Sequence, residues 1–82
     1  MQKQIASIPK NAREELHVSL TEYKGHDLFD VRVFADTGEK LVATRKGITA
    51  SVDHLPAIVE ALQRAMAEAR AAGVLTDMDN AA

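Results

Sequence analysis

Cysteine is absent from this chain of 82 residues, and its three histidines are scattered along the sequence. Disulfide bonds are therefore excluded, and the residue spacing of a zinc site or another metal-ligand cluster is missing. Because a chain this short buries a smaller share of its surface than a larger domain does, a monomer would be only marginally stable. With no cofactor or metal to stabilise it, we expect one small domain that gains stability as a homodimer.

Recognisable catalytic motifs are missing as well. His17, His26 and His54 have no serine, cysteine or carboxylate at a spacing typical of a catalytic triad. Glycine-rich phosphate-binding loops and paired catalytic carboxylates are not apparent either. We therefore predict that the protein is not an enzyme.

Long apolar runs are also lacking. None approaches the roughly 20 residues that a membrane span requires, and the N-terminal residues lack the apolar core of a signal peptide. We expect an intracellular protein with no membrane partner, located in the cytoplasm or nucleoid of a bacterium or in the nucleus of a eukaryote.

The charges are unevenly distributed around a formal net charge of −2. Through Val52, eight Lys or Arg stand against seven Asp or Glu, a balance of +1. The remaining residues have two against five, a balance of −3. The cations thus belong to the part of the chain interpreted below as a sheet, where the local potential is more positive than the net charge suggests.

Apolar and polar residues alternate from Glu15 onward, which is the period-two pattern of half-buried strands. Glycines at positions 25, 38 and 47 mark the connections between strands. The pattern predicts four short antiparallel strands in a meander, over residues 15–23, 28–35, 40–44 and 48–52. Residues 1–12 show no sustained period and are predicted to be a flexible N-terminal arm.

The last predicted element is one amphipathic helix from Asp53 to Ala72, with Asp53 as its N-cap and Gly73 at its end. Its apolar stripe is wide enough to leave surface for a partner. The expected fold class is α+β, with a ββββα order. One domain over residues 13–73 is followed by a flexible acidic tail over residues 74–82.

Two aromatic residues in the predicted sheet are candidates for base stacking. Tyr23 precedes Lys24, Gly25 and His26, so that its ring could stack on an unpaired base while the lysine neutralises a phosphate. The alternative is a half-buried tyrosine that packs the end of a hairpin. Phe34 has the same two interpretations, with core packing as the stronger alternative.

The cations of the predicted sheet form a second candidate group. Arg45 and Lys46 precede Gly47 in a predicted turn, where side chains and backbone amides can reach one phosphate together. Arg32 shares a strand face with Phe34, and Lys40 is expected nearby. Together they would make a cationic track, although each alone is also an ordinary solvated side chain.

In combination, these motifs resemble the single-stranded-DNA-binding domain of the transcriptional coactivator positive cofactor four family. The resemblance extends from about Glu15 to Ala69. It rests on four segments in order, followed by one amphipathic helix: residues 18–25 (VSLTEYKG), 28–32 (LFDVR), 38–39 (GE) and 45–48 (RKGI).

The resemblance implies a curved four-stranded antiparallel sheet, a homodimer formed largely through the helices, and sheet surfaces that bind single-stranded DNA or melted duplex. By similarity, nucleic acid would contact Tyr23, Lys24, Arg32, Arg45 and Lys46. We expect His26, Phe34 and Lys40 to lie on the same contact surface. The dimer interface would include Leu55, Ile58, Val59, Leu62 and Met66.

The chain departs from the family pattern at several positions. Ala35 stands where eukaryotic members have a tryptophan, His26 replaces a basic residue, and a third-strand cation is replaced by Val42 or displaced to Lys40. The resemblance does not extend to the serine-rich regulatory arm of the eukaryotic coactivators, and we therefore expect a minimal, bacterial type of member.

Sequence-tolerant binding of single-stranded DNA by a homodimer, with a role in transcription regulation or in handling melted DNA, is therefore the leading functional hypothesis. Two alternatives stay open. One is a protein-interaction module of the transcription machinery with weak or no nucleic-acid binding, favoured by the net negative charge and the missing second aromatic. The other is an RNA-binding protein, because stacking and phosphate contacts do not by themselves read the 2′-hydroxyl.

Overall fold

The computed structural model describes residues 2–76, which form four strands and one α-helix. The strands are β1 (Gln2–Pro9), β2 (Glu14–Tyr23), β3 (His26–Asp36) and β4 (Leu41–Ser51), followed by a 3₁₀ turn (Val52–His54) and helix α1 (Leu55–Ala71). The sheet is antiparallel in the order β1-β2-β3-β4, so every strand pairs with its neighbour in sequence. The predicted ββββα meander is therefore confirmed. The chain divides into two compact units after Val52, the sheet and the helical segment.

The N-terminal segment forms the first strand of the sheet. The prediction of a flexible arm over residues 1–12 is therefore wrong for Gln2–Pro9. Strand β1 pairs with β2 from Gln2 opposite Thr21 to Pro9 opposite Glu15. The register shifts between Gln4 and Ala6, which makes Ile5 an extra residue. This bulge interrupts the alternation of apolar and polar side chains, and for that reason the sequence shows no sustained strand period.

The predicted third and fourth strands are one strand, β4. The sheet still has four strands because β1, which was not predicted, is the additional one. The supposed turn between the predicted third and fourth strands is a β-bulge. Gly47 pairs with Arg32 and Ala43 with Phe34, so residues 44–46 lie opposite the single residue Val33. A bulge inserts unpaired residues without ending the strand, and glycine is common in both turns and bulges.

The two faces of the sheet differ in polarity, as the alternation predicts. Among residues 2–76, the buried apolar residues are Phe29 and Val33, with 1% and 7% of their surface exposed. The pairing of Leu20 with Phe29 and of Leu16 with Val33 places the apolar residues of β2 on the same face. The odd-numbered residues of β2 and the even-numbered residues of β3 therefore share the opposite, more polar face.

Helix α1 begins later than predicted and ends where predicted. Its N-cap is His54, which makes no side-chain capping bond, so the prediction of Asp53 as N-cap is wrong; the 3₁₀ turn occupies that position. At the other end, Gly73 has a φ of +75° and donates its N–H to the Arg70 carbonyl, while the Val74 N–H bonds to the Ala69 carbonyl. These are the two bonds of a Schellman motif. The predicted acidic tail lies, from residue 77, outside the described residues.

Within residues 2–76, no helix has both the length and the apolar character needed to cross a lipid bilayer.

Candidate nucleic-acid interface

The polar face of the sheet brings together most of the sheet residues that the sequence singled out. Cross-strand pairing of Tyr23 with His26 and of His17 with Arg32 aligns these side chains along one face. A shallow depression of about 200 Å³ lies on this face, formed by two glutamines of β1 together with His17, Ser19, Asp30, Arg32, Phe34 and Ala43. The face therefore combines aromatic, cationic and amide groups on one continuous surface.

The hairpin between β2 and β3 presents Tyr23 and Lys24 at one end of this face. Lys24 and Gly25 both have positive φ values, 52° and 81°, as a two-residue turn of type I′ requires. The Lys24 ammonium lies 5.2 Å from the centre of the Tyr23 ring, within the range of a cation–π interaction. Because 61% of Tyr23 is exposed, the half-buried packing role considered for this residue is not what the structure shows.

Phe34 is neither a core residue nor a free stacking platform. It is half-buried and stacks on the His17 ring, with centroids 3.9 Å apart and planes inclined by 14°. His17 Nε2 lies 2.9 Å from Glu15 Oε1, and the Ser7 hydroxyl donates to the same oxygen at 2.8 Å. These two hydrogen bonds, that of His17 foremost, lower the pKa of Glu15 below its usual value. The stack is thereby tied to both β1 and β2.

Arg32 belongs to a hydrogen-bonded cluster that joins β3 to β4. Its Nη2 donates to Asp30 Oδ1 at 2.6 Å and to Thr49 Oγ1 at 3.0 Å, and its Nε donates to Asp30 Oδ2 at 3.3 Å. The Thr49 hydroxyl donates to Asp30 Oδ1 at 2.5 Å. Arg32 Nη1 donates to the Thr44 carbonyl at 3.4 Å. The guanidinium that the sequence assigned to phosphate is thus already engaged within the chain.

The same cluster predicts how stability depends on acid pH. The Arg32 hydrogen bond is the main cause that lowers the pKa of Asp30, with Thr49 acting in the same direction and partial burial opposing it. A lowered folded-state pKa contributes stability above the ordinary value of 3.8, and this contribution is lost as the pH falls through the folded value. In urea denaturation between about pH 5 and pH 3, Asp30→Asn should therefore lose less stability than the wild type.

The matched control for this acid dependence is Asp27→Asn, which changes an exposed carboxylate on the same strand. Because this change leaves the Asp30–Arg32 pair intact, the variant should lose more stability on acidification than Asp30→Asn does. Equal losses in the wild type and in Asp30→Asn would contradict the assigned role of the Asp30–Arg32 pair.

The bulge of β4 presents Arg45 and Lys46, both exposed, on an edge strand of the sheet. The Thr44 hydroxyl donates to the Val33 carbonyl at 2.7 Å and accepts the Lys46 N–H at 3.2 Å, which fixes the bulge backbone. Lys46 is also near enough to Glu14 to contribute, as the smallest of several causes, to lowering its pKa. Both cations are therefore displayed by a defined irregularity of the strand.

The predicted contact residues are not all close together. His26 is exposed beside Tyr23 at the β2–β3 end, whereas Lys40 lies in the β3–β4 connection at the opposite end. Along β3, the nine residues from His26 to Phe34 extend over about 27 Å. A ligand that reaches all the predicted positions would have to be extended along the strands.

Three participants in this site were not predicted from the sequence, namely His17, Asp30 and Thr49. The alternation alone places Asp30 on the face of Arg32, two residues away, where an ion pair between them was foreseeable. Thr49 joins them only through the register of β3 and β4, which pairs it with Asp30. That register depends on the bulge, whose sequence is typical of a turn.

Helix α1 carries the residues assigned to a dimer interface. Val59, Leu62 and Met66 are exposed, at 47%, 60% and 41%. Leu55 and Ile58 are half-buried. Among the residues described, 2–76, no group of three or more His, Cys, Asp or Glu is arranged to hold a metal ion.

Comparisons with known proteins agree with this architecture. Residues 10–61 match the family described as Transcriptional Coactivator p15 (PC4). A crystal structure of BPSL1147, a PC4 homologue from Burkholderia pseudomallei, is 30% identical with a TM-score of 0.71, covering 79% of this chain and 97% of that one. Its orthorhombic form is 31% identical with a TM-score of 0.70, covering 77% and 86%.

A more distant structure has the same fold. It is the bacteriophage T5 homologue of the eukaryotic coactivator PC4, implicated in recombination-dependent DNA replication, with 14% identity, a TM-score of 0.68 and coverage of 84% and 81%. No curated protein sequence matches the chain.

Proposed function

This chain belongs to the transcriptional coactivator p15 (PC4) family, and from that premise we propose that it binds single-stranded DNA as a homodimer, without sequence preference and without catalysis. In this proposal the polar face of the sheet is the contact surface. Lys24, Arg45 and Lys46 neutralise phosphates, and Tyr23 stacks on a base. The role is in transcription regulation or in handling DNA that has been melted.

The observation that carries the proposal is the hairpin tip. An aromatic ring with most of its surface exposed is unusual for a tyrosine that only packs a sheet, and here a lysine is positioned over it. Single-strand binders combine these two features, since the ring stacks on a base of any sequence while the cation neutralises the adjacent phosphate. The exposed cations of the β4 bulge extend the basic surface beyond the tip.

Replacing Tyr23 tests the stacking role directly. Tyr23→Ala should weaken binding of a single-stranded oligonucleotide about tenfold, since stacking contributes roughly 1 to 3 kcal/mol per base. Fluorescence anisotropy with an end-labelled oligonucleotide measures the loss. Tyr23→Phe keeps the ring and should bind like the wild type; a similar loss in both variants, or in neither, would count against stacking.

The class of ligand is tested by titrating the wild-type protein with single-stranded DNA, duplex DNA and single-stranded RNA at two salt concentrations. The proposal expects tighter binding to single strands than to duplex, weakened by salt because phosphate contacts release counterions. Equal or tighter binding of RNA would favour the RNA alternative. Absence of binding to any nucleic acid at low salt would refute the proposal and leave a protein-interaction module as the alternative.

The homodimer is proposed to form through helix α1. Its exposed apolar residues Val59, Leu62 and Met66 recur at helical spacing, and an apolar stripe of this kind is typical of an interface. Light scattering coupled to size-exclusion chromatography should give the mass of a dimer at micromolar protein. Leu62→Glu should yield a monomer because it buries a charge in the interface. The control is Gln63→Glu, which also adds a single charge to the helix.

A further inference from the structure

Arg32 donates four of its five N–H groups inside the protein, one from Nε, one from Nη1 and two from Nη2. Its charge is opposed by the Asp30 carboxylate at 2.6 Å, with only 21% of each side chain exposed. A guanidinium engaged in this way has little left to offer a phosphate. Its acceptors instead come from both β3 and β4, on either side of the bulge.

The position of these acceptors defines what the guanidinium fixes. Thr44 begins the bulge and Thr49 lies beyond its end, so Arg32 spans the irregular segment. The guanidinium lies against the backbone of Gly47. A Cβ added to residue 47 would be only 3.2 Å from Arg32 Cζ. Residues 45 and 46 therefore project from a segment whose two flanks are tied to one side chain.

We propose that Asp30, Arg32 and Thr49 are positioning residues, which hold the β4 bulge in the conformation that presents Arg45 and Lys46 to the nucleic acid. This inference rests on the proposed binding function and adds to it: Arg32 acts through the two bulge cations and is not itself a phosphate contact. Asp30 orients the guanidinium fork, and the Thr49 hydroxyl joins the carboxylate to it.

Thr49→Val separates positioning from direct contact because it changes no charge. The variant keeps the shape of the side chain and removes the hydroxyl that bonds to Asp30 and Arg32. We expect a loss of single-strand affinity of about three- to tenfold. We also expect a shallower dependence of affinity on salt, although no cation has been removed, because Arg45 and Lys46 no longer contact phosphates together. Thr49→Ser retains the hydroxyl and should match the wild type.

Arg32→Lys is the second variant, and it keeps the proposal testable if Thr49→Val folds poorly. Lysine preserves the charge but cannot form the planar fork to Asp30 and Thr49. A direct phosphate contact would survive this change with the salt dependence intact, which would overturn the proposal. The positioning role predicts the same loss of affinity and salt dependence as in Thr49→Val.

A double-mutant cycle completes the test. In a background carrying Arg45→Ala and Lys46→Ala, Thr49→Val should cause no further loss, since the residues it positions are gone. Additive losses would overturn the inference while leaving single-strand binding intact. Failure of the wild-type protein to bind would overturn the proposed function and, with it, this inference, so the two failures are distinguishable.

Discussion

Gly47→Ala is expected to destabilise the sheet by about 3 kcal/mol or more, a large fraction of the stability of a small domain. An added Cβ would lie 2.3 Å from the Val31 carbonyl oxygen and 2.9 Å from Arg32 Cα, both backbone atoms of the central strand β3. The φ of Gly47 is also +153°, a conformation that residues with side chains rarely adopt. Urea denaturation followed by circular dichroism measures the loss.

Gly38→Ala is the matched control for this clash. Gly38 also has a positive φ, +97°, but an added Cβ would meet nothing within 4 Å. Its substitution therefore measures only the free-energy cost of placing alanine at a positive φ, which we expect to be about 1 kcal/mol. If both alanine variants lose similar stability, the close approach of β4 to β3 is not what requires glycine at position 47.

The double substitution Arg45→Ala and Lys46→Ala should cause the largest loss of nucleic-acid binding. If each cation contacts one phosphate, the slope of log affinity against log salt should fall by about 1.4 for a single-stranded ligand. At low salt the affinity should fall on the order of 30-fold, since charge-assisted bonds are the stronger ones. Anisotropy titrations over a series of salt concentrations measure both quantities.

A control with the same change in net charge separates local contact from general attraction. Lys3→Ala with Arg64→Ala also removes two positive charges. Lys3 pairs with Leu20 on the apolar face of the sheet, and Arg64 lies on helix α1. This variant should retain most of the affinity and the salt dependence. Equal losses in the two double variants would mean that the β4 bulge is not a specific contact point.

The parts of the fold that were predictable from sequence are those in which side chains alternate without interruption. Strands β2 and β3 pair without a register shift from Glu14 to Tyr23, and their apolar residues indicated the correct face. Strand β1 was missed because Ile5 breaks its alternation, and β4 was divided because Arg45, Lys46 and Gly47 resemble a turn. In both cases a bulge produced a local pattern that a two-residue period does not describe.

The candidate site divides in the same way. Tyr23 and Lys24 were identified because a turn signal follows them directly in sequence. The Asp30–Arg32–Thr49 cluster was not, since Thr49 approaches Asp30 only after β3 and β4 have paired across the bulge. The sequence can therefore identify a cation without showing whether another part of the chain already forms hydrogen bonds with it.

The exposed ring at the β2–β3 hairpin has one more consequence, which is spectroscopic. Tyr23 is the single tyrosine of the chain, and the chain has no tryptophan. Excitation in the tyrosine band consequently reports the hairpin tip alone, without substitution or label. A nucleic acid that reaches this tip should change that emission, whereas one that contacts only the far end of the sheet should leave it unaltered.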